Sequence, residues 1–399
     1  LSTYFPRRRR NVGKQRQGRR KERCLLNVLI THPDFLDPGG VSNFFGHLRG
    51  KFNVPVHSFC VGRRPNEAGE LRKLSRFVGD FYHFTRAIRK HHIDVVHINP
   101  SLDMKSYIRD GLLVLLAKSL GAKAVVFFHG WQKPFQETIE SRFLWTFRWT
   151  FGRADAFIVL SREVMNTLRR WNMTQPIYRE TTVVDDDFLD GFDWPTLQAN
   201  RDQSSVWRIL FLSRMIKGKG IYETVQAFAK LHAAYPAMEL IVAGDGPELE
   251  AVKAYVASEN IPRVSFPGYI KGNDKRELLA RSHVYILPSY TEGMPVSVVE
   301  AMAFGLPIVT RPVGGLADVI QSEIHGFMTD SLDPAEFAGF LERLYQDKGL
   351  YATISRNNWD YARKHCLAPG AAARLETVYR NVMNGGLCGD QIENKYGKG

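Results

Sequence analysis

The sequence predicts an α/β fold of two doubly wound, Rossmann-like parallel-sheet domains that face each other across a cleft. Three observations predict it. Short apolar runs of strand length recur, each followed by a helical stretch. These alternations fall into two series separated by an aperiodic polar segment, and several strands are followed at once by glycine or by charged residues. Alternating strand and helix implies parallel pairing through right-handed crossovers, and ligands gather at the carboxyl ends of such strands.

The first series opens with CLLNVLI (Cys24 to Ile30), a buried strand followed by the turn-rich THPDFLDPGGVSNFF. It continues through DVVHIN (Asp94 to Asn99), AVVFFHG (Ala124 to Gly130) and DAFIVLS (Asp155 to Ser161). From Val183 to Ser205 the periodicity fades, which marks an interdomain linker. WRILFLS, MELIVAG, RVSFPGY, HVYILPS and LPIVTRP form the second series, and a helical stretch runs from Pro334 to Asn384. The implied boundaries are a basic tail at 1–23, a first domain at 24–183, a linker at 184–205 and a second domain at 206–360. A terminal helix at 361–384 and a polar tail at 385–399 complete the chain.

The residues immediately after the strands suit a ligand site. Arg214 comes after ILFLS, Gly244 and Asp245-Gly246-Pro247 after LIVA, Glu292 and Gly293 after YILPS, and Gly314-Gly315 after PIVT. In the first domain Gly39-Gly40 comes after the opening strand and His129 ends the third. The segment SYTEGMPVSVVEAMAFGLPIVTRPVGG, Ser289 to Gly315, is the most informative. Gly293 and Pro295 end a loop and start a helix, with Pro295 suited to the first helical position. Around that start the backbone N–H groups of Met294 and of Val296 to Val298, Pro295 having none, are free donors, and the positive dipole end of the helix adds to their attraction for an anion. Glu300 lies in an apolar run, where a carboxylate needs a hydrogen-bonding partner; a ribose diol is one.

Composition narrows the classes. At 399 residues with 44% hydrophobic content the chain is long enough for two cores. The longest apolar run, Leu112 to Phe128, is broken by Lys118 and Lys123 and falls short of the roughly 18 residues a spanning helix needs. The basic start leads into a polar stretch, which is not a signal-peptide pattern. Four scattered cysteines, Cys24, Cys60, Cys366 and Cys388, show no metal or disulfide spacing and suit a reducing, cytoplasmic compartment. Of the net +13, residues 1–23 hold ten Lys or Arg against one Glu, leaving +4 for the body. That tail could bind anionic lipid or nucleic acid, but a solvated tail is the simpler account. Gly39-Gly40 lacks the G-x-G-x-x-G spacing of a dinucleotide site, which counts against a dehydrogenase.

With Glu292-GMPVSVV-Glu300 followed by AMAFGLPIVTRPVGG, the second half resembles the donor site of the retaining GT-B glycosyltransferases of the large family 4 group. LSRMIKGKG (Leu212 to Gly220), ELIVAGDGPELE (Glu239 to Glu250) and VSFPGYI (Val264 to Ile270) resemble that family's phosphate loop, second strand and base-side strand. The likeness runs over about residues 25 to 380 and is stronger in the C-terminal half. It implies a GT-B fold whose last helix crosses back to the first domain. It also implies a nucleotide-sugar donor, UDP- or GDP-linked, and no metal or other cofactor. Arg214 and Lys219 would hold the diphosphate, a guanidinium fork and a point charge placed where negative charge grows. Glu300 would hold the ribose, Glu292 the hydroxyls of the donor sugar, and His129 its primary hydroxyl. Gly39, Gly40, Gly244, Gly293, Met294, Pro295, Val296, Tyr269 and Ile270 would line the donor pocket. The family's reaction retains anomeric configuration by front-face attack through an oxocarbenium-like state, with the leaving phosphate helping to deprotonate the acceptor.

Glu300 is expected to lose its reason for burial when the nucleotide leaves. Asp185-Asp186-Asp187 tempts a metal assignment but has no second ligand cluster around it, so a solvated acidic turn is expected. Arg109, set in a helix, is a weak cleft candidate. On the acceptor side, the basic aromatic stretches Glu140 to Ala156 and Glu70 to His92 suit a membrane interface, though aromatics on both faces also suit a core. A saccharide or lipid-linked acceptor of cell-surface polysaccharide or lipopolysaccharide synthesis fits, with the protein peripheral on the inner face of the cell membrane. Two rivals are a catalytically silent nucleotide-sugar-binding scaffold on the same fold and a nucleic-acid-binding protein driven by the basic arm; no nucleic-acid partner is expected.

Overall fold

The computed structural model describes residues 26–35, 39–62 and 70–385; the basic tail and all but Gly385 of the polar tail lie outside them. The first domain runs β1 (Val28–His32), α1 (Gly40–Leu48), β2 (Val56–Cys60), α2 (Glu70–Lys90), β3 (Val95–Ile98), β4 (Ser101–Leu102) and α3 (Met104–Ser119). It goes on through β5 (Lys123–Phe128), β6 (Gly130–Trp131), α4 (Lys133–Thr138), α5 (Leu144–Thr150), β7 (Ala156–Val159), α6 (Arg162–Arg170) and β8 (Ile177–Arg179). The second domain begins with α7 (Trp194–Asp202), β9 (Trp207–Leu212), α8 (Ile221–His232), β10 (Met238–Ala243), α9 (Leu249–Ser258), β11 (Val264–Gly268), α10 (Gly272–Arg281) and β12 (Val284–Leu287). Next come α11 (Val296–Ala303), β13 (Ile308–Thr310), α12 (Leu316–Val319), β14 (Gly326–Met328), α13 (Pro334–Gln346), α14 (Lys348–His365) and, beyond a break, α15 (Ala368–Met383).

Each domain holds a six-stranded sheet, ordered β2-β1-β3-β5-β7-β8 and β11-β10-β9-β12-β13-β14. Every pairing in both is parallel. Strands such as VLITH and AFIV are buried at every residue, as expected when helices cover both faces of a sheet. In the first domain Ile30, Val125 and Phe127 meet Phe44 of α1 and Tyr379 of α15 on one side. Leu29, Val126 and Phe128 meet Phe84 of α2, Val114 of α3 and Phe147 of α5 on the other.

Two features of this order position a site. Strand order reverses beside β1 in the first sheet and beside β9 in the second, and a crevice opens where neighbouring crossovers leave in opposite directions. The residues after β1 and β3, and after β9 and β12, are therefore the ones nearest such a crevice, with the loops after the neighbouring β5 and β10 beside them.

The structure differs from the sequence expectation at three places. Within the expected linker at 184–205, α7 is an ordered part of the second domain. Its Arg201 is buried and donates to the carbonyls of Ala280, Leu279 and Phe304. The return crossing starts at Leu367 rather than at 361, because α14 runs unbroken to His365 with Ala362 in the core. There the two crossings pair: the Val184 N–H donates to the Cys366 carbonyl at 2.9 Å, and the Ala368 N–H to the Val184 carbonyl at 3.0 Å. Asp185, Asp186 and Asp187 are also not simply solvated. The Lys51 ammonium, at the foot of α1, lies 2.6 Å from Asp186, 3.7 Å from Asp185 and 3.8 Å from Asp187. Clasped by this lysine, the acids tie the start of the linker to the first domain.

Candidate functional site

Loops after β9, β10 and β12 build the second-domain wall. Gly244 has φ +137°, and a Cβ there would stand 1.9 Å from the Ser213 carbonyl oxygen. Only glycine lets the two loops pack this closely, and the Ser213–Met215 loop they hold presents Arg214 to solvent. Among the described residues the Arg214 guanidinium has no hydrogen-bonding or ionic partner. Lys219, on a one-turn helix after the same strand, reaches across to the β12 loop: its Nζ donates to Glu292 Oε1 at 2.5 Å. Their side chains are 15% and 8% exposed, so the pair is mostly out of water and its geometry matters.

Gly314 holds that loop from behind. Its φ is +54°, and a Cβ would lie 2.0 Å from the Glu292 carbonyl oxygen; the Gly315 N–H then donates to the Gly293 carbonyl at 2.5 Å. Pro295 is the N-cap of α11, one residue before the first helical position expected for it, and no side chain caps the N–H groups beyond it. Free donors at a helix start suit an anion. Tyr285, fully buried, ties the strand ends together. Its hydroxyl donates to the Leu212 carbonyl at 2.8 Å, so the 2.7 Å bond to Ser297 is one it accepts, and burial pushes its pKa up.

Glu300 is buried but partnered in the protein itself: Lys275 Nζ of α10 donates to its Oε1 at 2.5 Å and sits 5.0 Å from the centre of the Phe188 ring. The expectation that Glu300 depends on a nucleotide for its burial is thus corrected. Lys275 was not foreseen, since nothing in GNDKRELLARS separates it from the other surface cations of the helix. Tyr269 (71% exposed) and half-buried Ile270 come after β11 at the sheet edge.

The first domain meets this wall directly. A Cβ on Gly293 would lie 3.2 Å from the His129 carbonyl oxygen, and Thr182 Oγ1 donates to the Met294 carbonyl at 3.0 Å. His129 packs against Phe127, Phe44 and Phe45, with ring centroids 3.8, 5.0 and 5.8 Å away. Its Nε2 lies 3.0 Å from Asn99 Oδ1, while Asn99 Nδ2 donates to the Thr31 carbonyl at 2.7 Å. That second bond fixes the amide, so Oδ1 can only accept and His129 must carry its proton on Nε2. Nδ1 keeps a lone pair for a hydroxyl. Burial, with the His97 imidazole beside it, holds His129 well below its ordinary pKa, so the ring is neutral at pH 7. Asn99 was missed in the sequence because its partners lie 30 and 68 residues away.

Gly39 caps α1 in extended conformation, and a Cβ on Gly40 would meet no atom within 4 Å; space is open there, but the protein does not demand glycine. Arg109 does not serve the cleft freely, because its guanidinium grips Asp110 through two bonds of 2.6 and 2.8 Å. Asn99→Asp puts a carboxylate against the Nε2–H of His129, which favours the imidazolium. The His129 pKa is expected to rise, so the ring protonates at a higher pH than in the native chain and loses the Nδ1 lone pair there. An NMR titration of the imidazole nitrogens checks this, and equal midpoints would contradict the tautomer assigned.

Residues 196–365 match the family described as "Glycosyl transferases group 1", and residues 47–187 match "Glycosyltransferase Family 4". Among curated proteins, N-acetyl-alpha-D-glucosaminyl L-malate synthase of Bacillus anthracis is 30% identical over 176 residues, covering 44% of this chain and 45% of that protein. The chain thus aligns with less than half the length of this relative. Among solved structures, Anabaena HepE in complex with UDP superposes with a TM-score of 0.71 at 17% identity, covering 90% of this chain and 100% of the other. Sucrose-phosphate synthase of Thermosynechococcus elongatus superposes with 0.70 at 19% identity, covering 90% and 99%.

Proposed function

We propose that this chain, which belongs to the glycosyl transferases group 1 family and has the GT-B fold, moves a hexosyl group from a UDP- or GDP-linked sugar to a saccharide or lipid-linked acceptor. The anomeric configuration is retained. The observation that carries this proposal is the Lys219–Glu292 pair, set on the loop whose Gly293 abuts the backbone of His129. On this reading a cation for a diphosphate, a carboxylate for hydroxyls and a neutral imidazole with a free lone pair would face one donor.

In this scheme the diphosphate binds at the open start of α11 and draws Lys219 and Arg214 onto its oxygens. Glu292 is released to the donor sugar's hydroxyls, His129 Nδ1 accepts from its primary hydroxyl, and Glu300, steadied by Lys275, takes the ribose. Cleavage of the sugar–phosphate bond leaves negative charge on the phosphate, where fixed cations in a water-poor site stabilise it most. The acceptor oxygen forms its bond on the face the phosphate is leaving, and its proton passes to that phosphate. No carboxylate nucleophile on the opposite face is required. Lys219 and Arg214 supply the positive charge, so the scheme asks for no metal. A place in cell-surface polysaccharide or lipopolysaccharide synthesis, at the inner face of the membrane, fits such an acceptor; among the described residues no helix is long and apolar enough to cross a membrane.

Release of nucleoside diphosphate from UDP- and GDP-hexoses is the test. Slow release without acceptor, accelerated by an acceptor saccharide, is expected. Tight donor binding with no release under either condition would instead mark a silent binding protein on the same fold.

A further inference from the structure

Seven of the thirteen large apolar side chains that stand exposed among the described residues lie on three helices, α2, α3 and α5. These helices cover one face of the first domain side by side. Gly111 of α3 abuts Thr150 at the end of α5, and a groove of about 1220 Å³ runs between α2 and α3. Phe77, Phe81, Leu112, Leu115 and Leu116 line that groove. Val78 and Tyr82 on α2 are 63% and 64% exposed, and Trp145 and Trp149 on α5 are 69% and 54% exposed. Along α3, Met104, Ile108 and Leu112 recur at four-residue spacing, a stripe on one helix face. No described element of the fold covers it. The aromatic stretch around α5 divides accordingly: Phe147 and Phe151 are core, and only the two tryptophans look outward.

Charge says what covers this face. Arg86, Arg89 and Lys90 rim the groove, and Lys105, Arg142 and Arg153 stand exposed around it. None of these six cations has an ionic partner among the described residues. Asp80 of α2 and Asp110 of α3 are already engaged: Asp80 is buried with Arg76 beside it, and Asp110 is held by Arg109. Glu137 and Glu140, on the α4 side, are the exposed acids nearby. A second copy of the chain is a poor partner, because a two-fold contact would bring the same cations onto themselves. A nucleic acid would leave an aliphatic stripe of Met104, Ile108 and Leu112 in contact with phosphate.

We propose that α2, α3 and α5 form a docking face for an anionic lipid bilayer, with the tryptophans and the α3 stripe entering the interface and the arginines meeting the headgroups. Met104, where the stripe begins, comes just after β4, and the partner strand of β4 begins one residue after His129. The stripe therefore ends at the rim of the cleft, and a docked chain would hold that rim against the bilayer. The docking itself does not depend on the transfer reaction proposed above.

Flotation of the full-length chain with phosphatidylcholine vesicles, with and without a third of phosphatidylglycerol, tests it. Binding is expected with the anionic vesicles, weakening as salt is raised. At low salt the loss of two arginines in Arg86→Gln/Arg89→Gln should weaken binding about thirtyfold, at roughly fivefold per basic residue. Ile108→Glu/Leu112→Glu should weaken it further, while both variants keep the native thermal midpoint and the native thermal response to nucleotide sugars. Equal binding by native and doubly substituted chains would overturn the proposal. So would a native dimer in light scattering that Ile108→Glu/Leu112→Glu dissociates. Loss of the nucleotide-sugar response in the native chain would instead count against the proposed donor site alone.

Discussion

Lys219→Ala is expected to lower kcat/KM for donor turnover by about 10²–10³, the loss typical when one fixed group facing developing negative charge is removed. Two effects are combined in that variant, and they separate. Lys219 is the only ionic partner of Glu292 among the described residues, at 2.5 Å and 8% exposure for the carboxylate. Its removal leaves a nearly buried charge alone, which costs about 3–5 kcal/mol of stability. In Lys219→Ala/Glu292→Gln the stranded charge is gone, so the urea midpoint should return towards that of the native protein. Turnover should not return, because the phosphate has still lost its cation. A single variant with unchanged kcat/KM would remove Lys219 from the chemistry and leave it as half of a structural ion pair.

Glu300→Ala is expected to act on affinity rather than rate. Hydrogen bonds to a charged group contribute about 1.5–3 kcal/mol, so the donor Kd should rise roughly 10- to 150-fold. An interaction made equally in the ground and transition states leaves kcat near its native value. Lys275 then loses its carboxylate but keeps the Phe188 ring and a route to solvent, being 22% exposed, so the stability cost should be smaller than for Lys219→Ala. An unchanged Kd would mean that Glu300 exists for Lys275 and for the packing of α10 on α11.

The contrast between these two carboxylates shows what was legible in the chain. Glu292 and Glu300 could be found because a strand, a Gly-Met-Pro turn and an apolar helix lie within 27 residues, and local patterning carries all three. Their lysines could not be found that way. Lys219 is 73 residues from Glu292, and Lys275 is 25 residues from Glu300 on another helix. The same holds for Asn99 and His129, and for His97 and Tyr379, which share a 2.6 Å hydrogen bond across 282 residues. Such pairs exist only once strand order is set. Both doubly wound sheets could be read from alternation, but β2, β8 and β14 could not. Two of those have three residues, too short for a period to show, and all three lie at sheet edges. The stripe on α3 escaped notice because LLVLLA reads as core on every side; only the packed structure shows that Leu113 and Val114 are covered and Leu112 is not.

The claim that the crevice between Lys219, Glu292, Glu300 and His129 is a nucleotide-sugar site is tested most directly by thermal unfolding of the full chain against a panel of nucleotide sugars. One donor at about 100 times its Kd should stabilise the native protein by about 2.7 kcal/mol, with roughly half to nine-tenths of that gain absent in Glu300→Ala. No stabilisation by any UDP- or GDP-hexose, or equal stabilisation of native and Glu300→Ala chains, would contradict it.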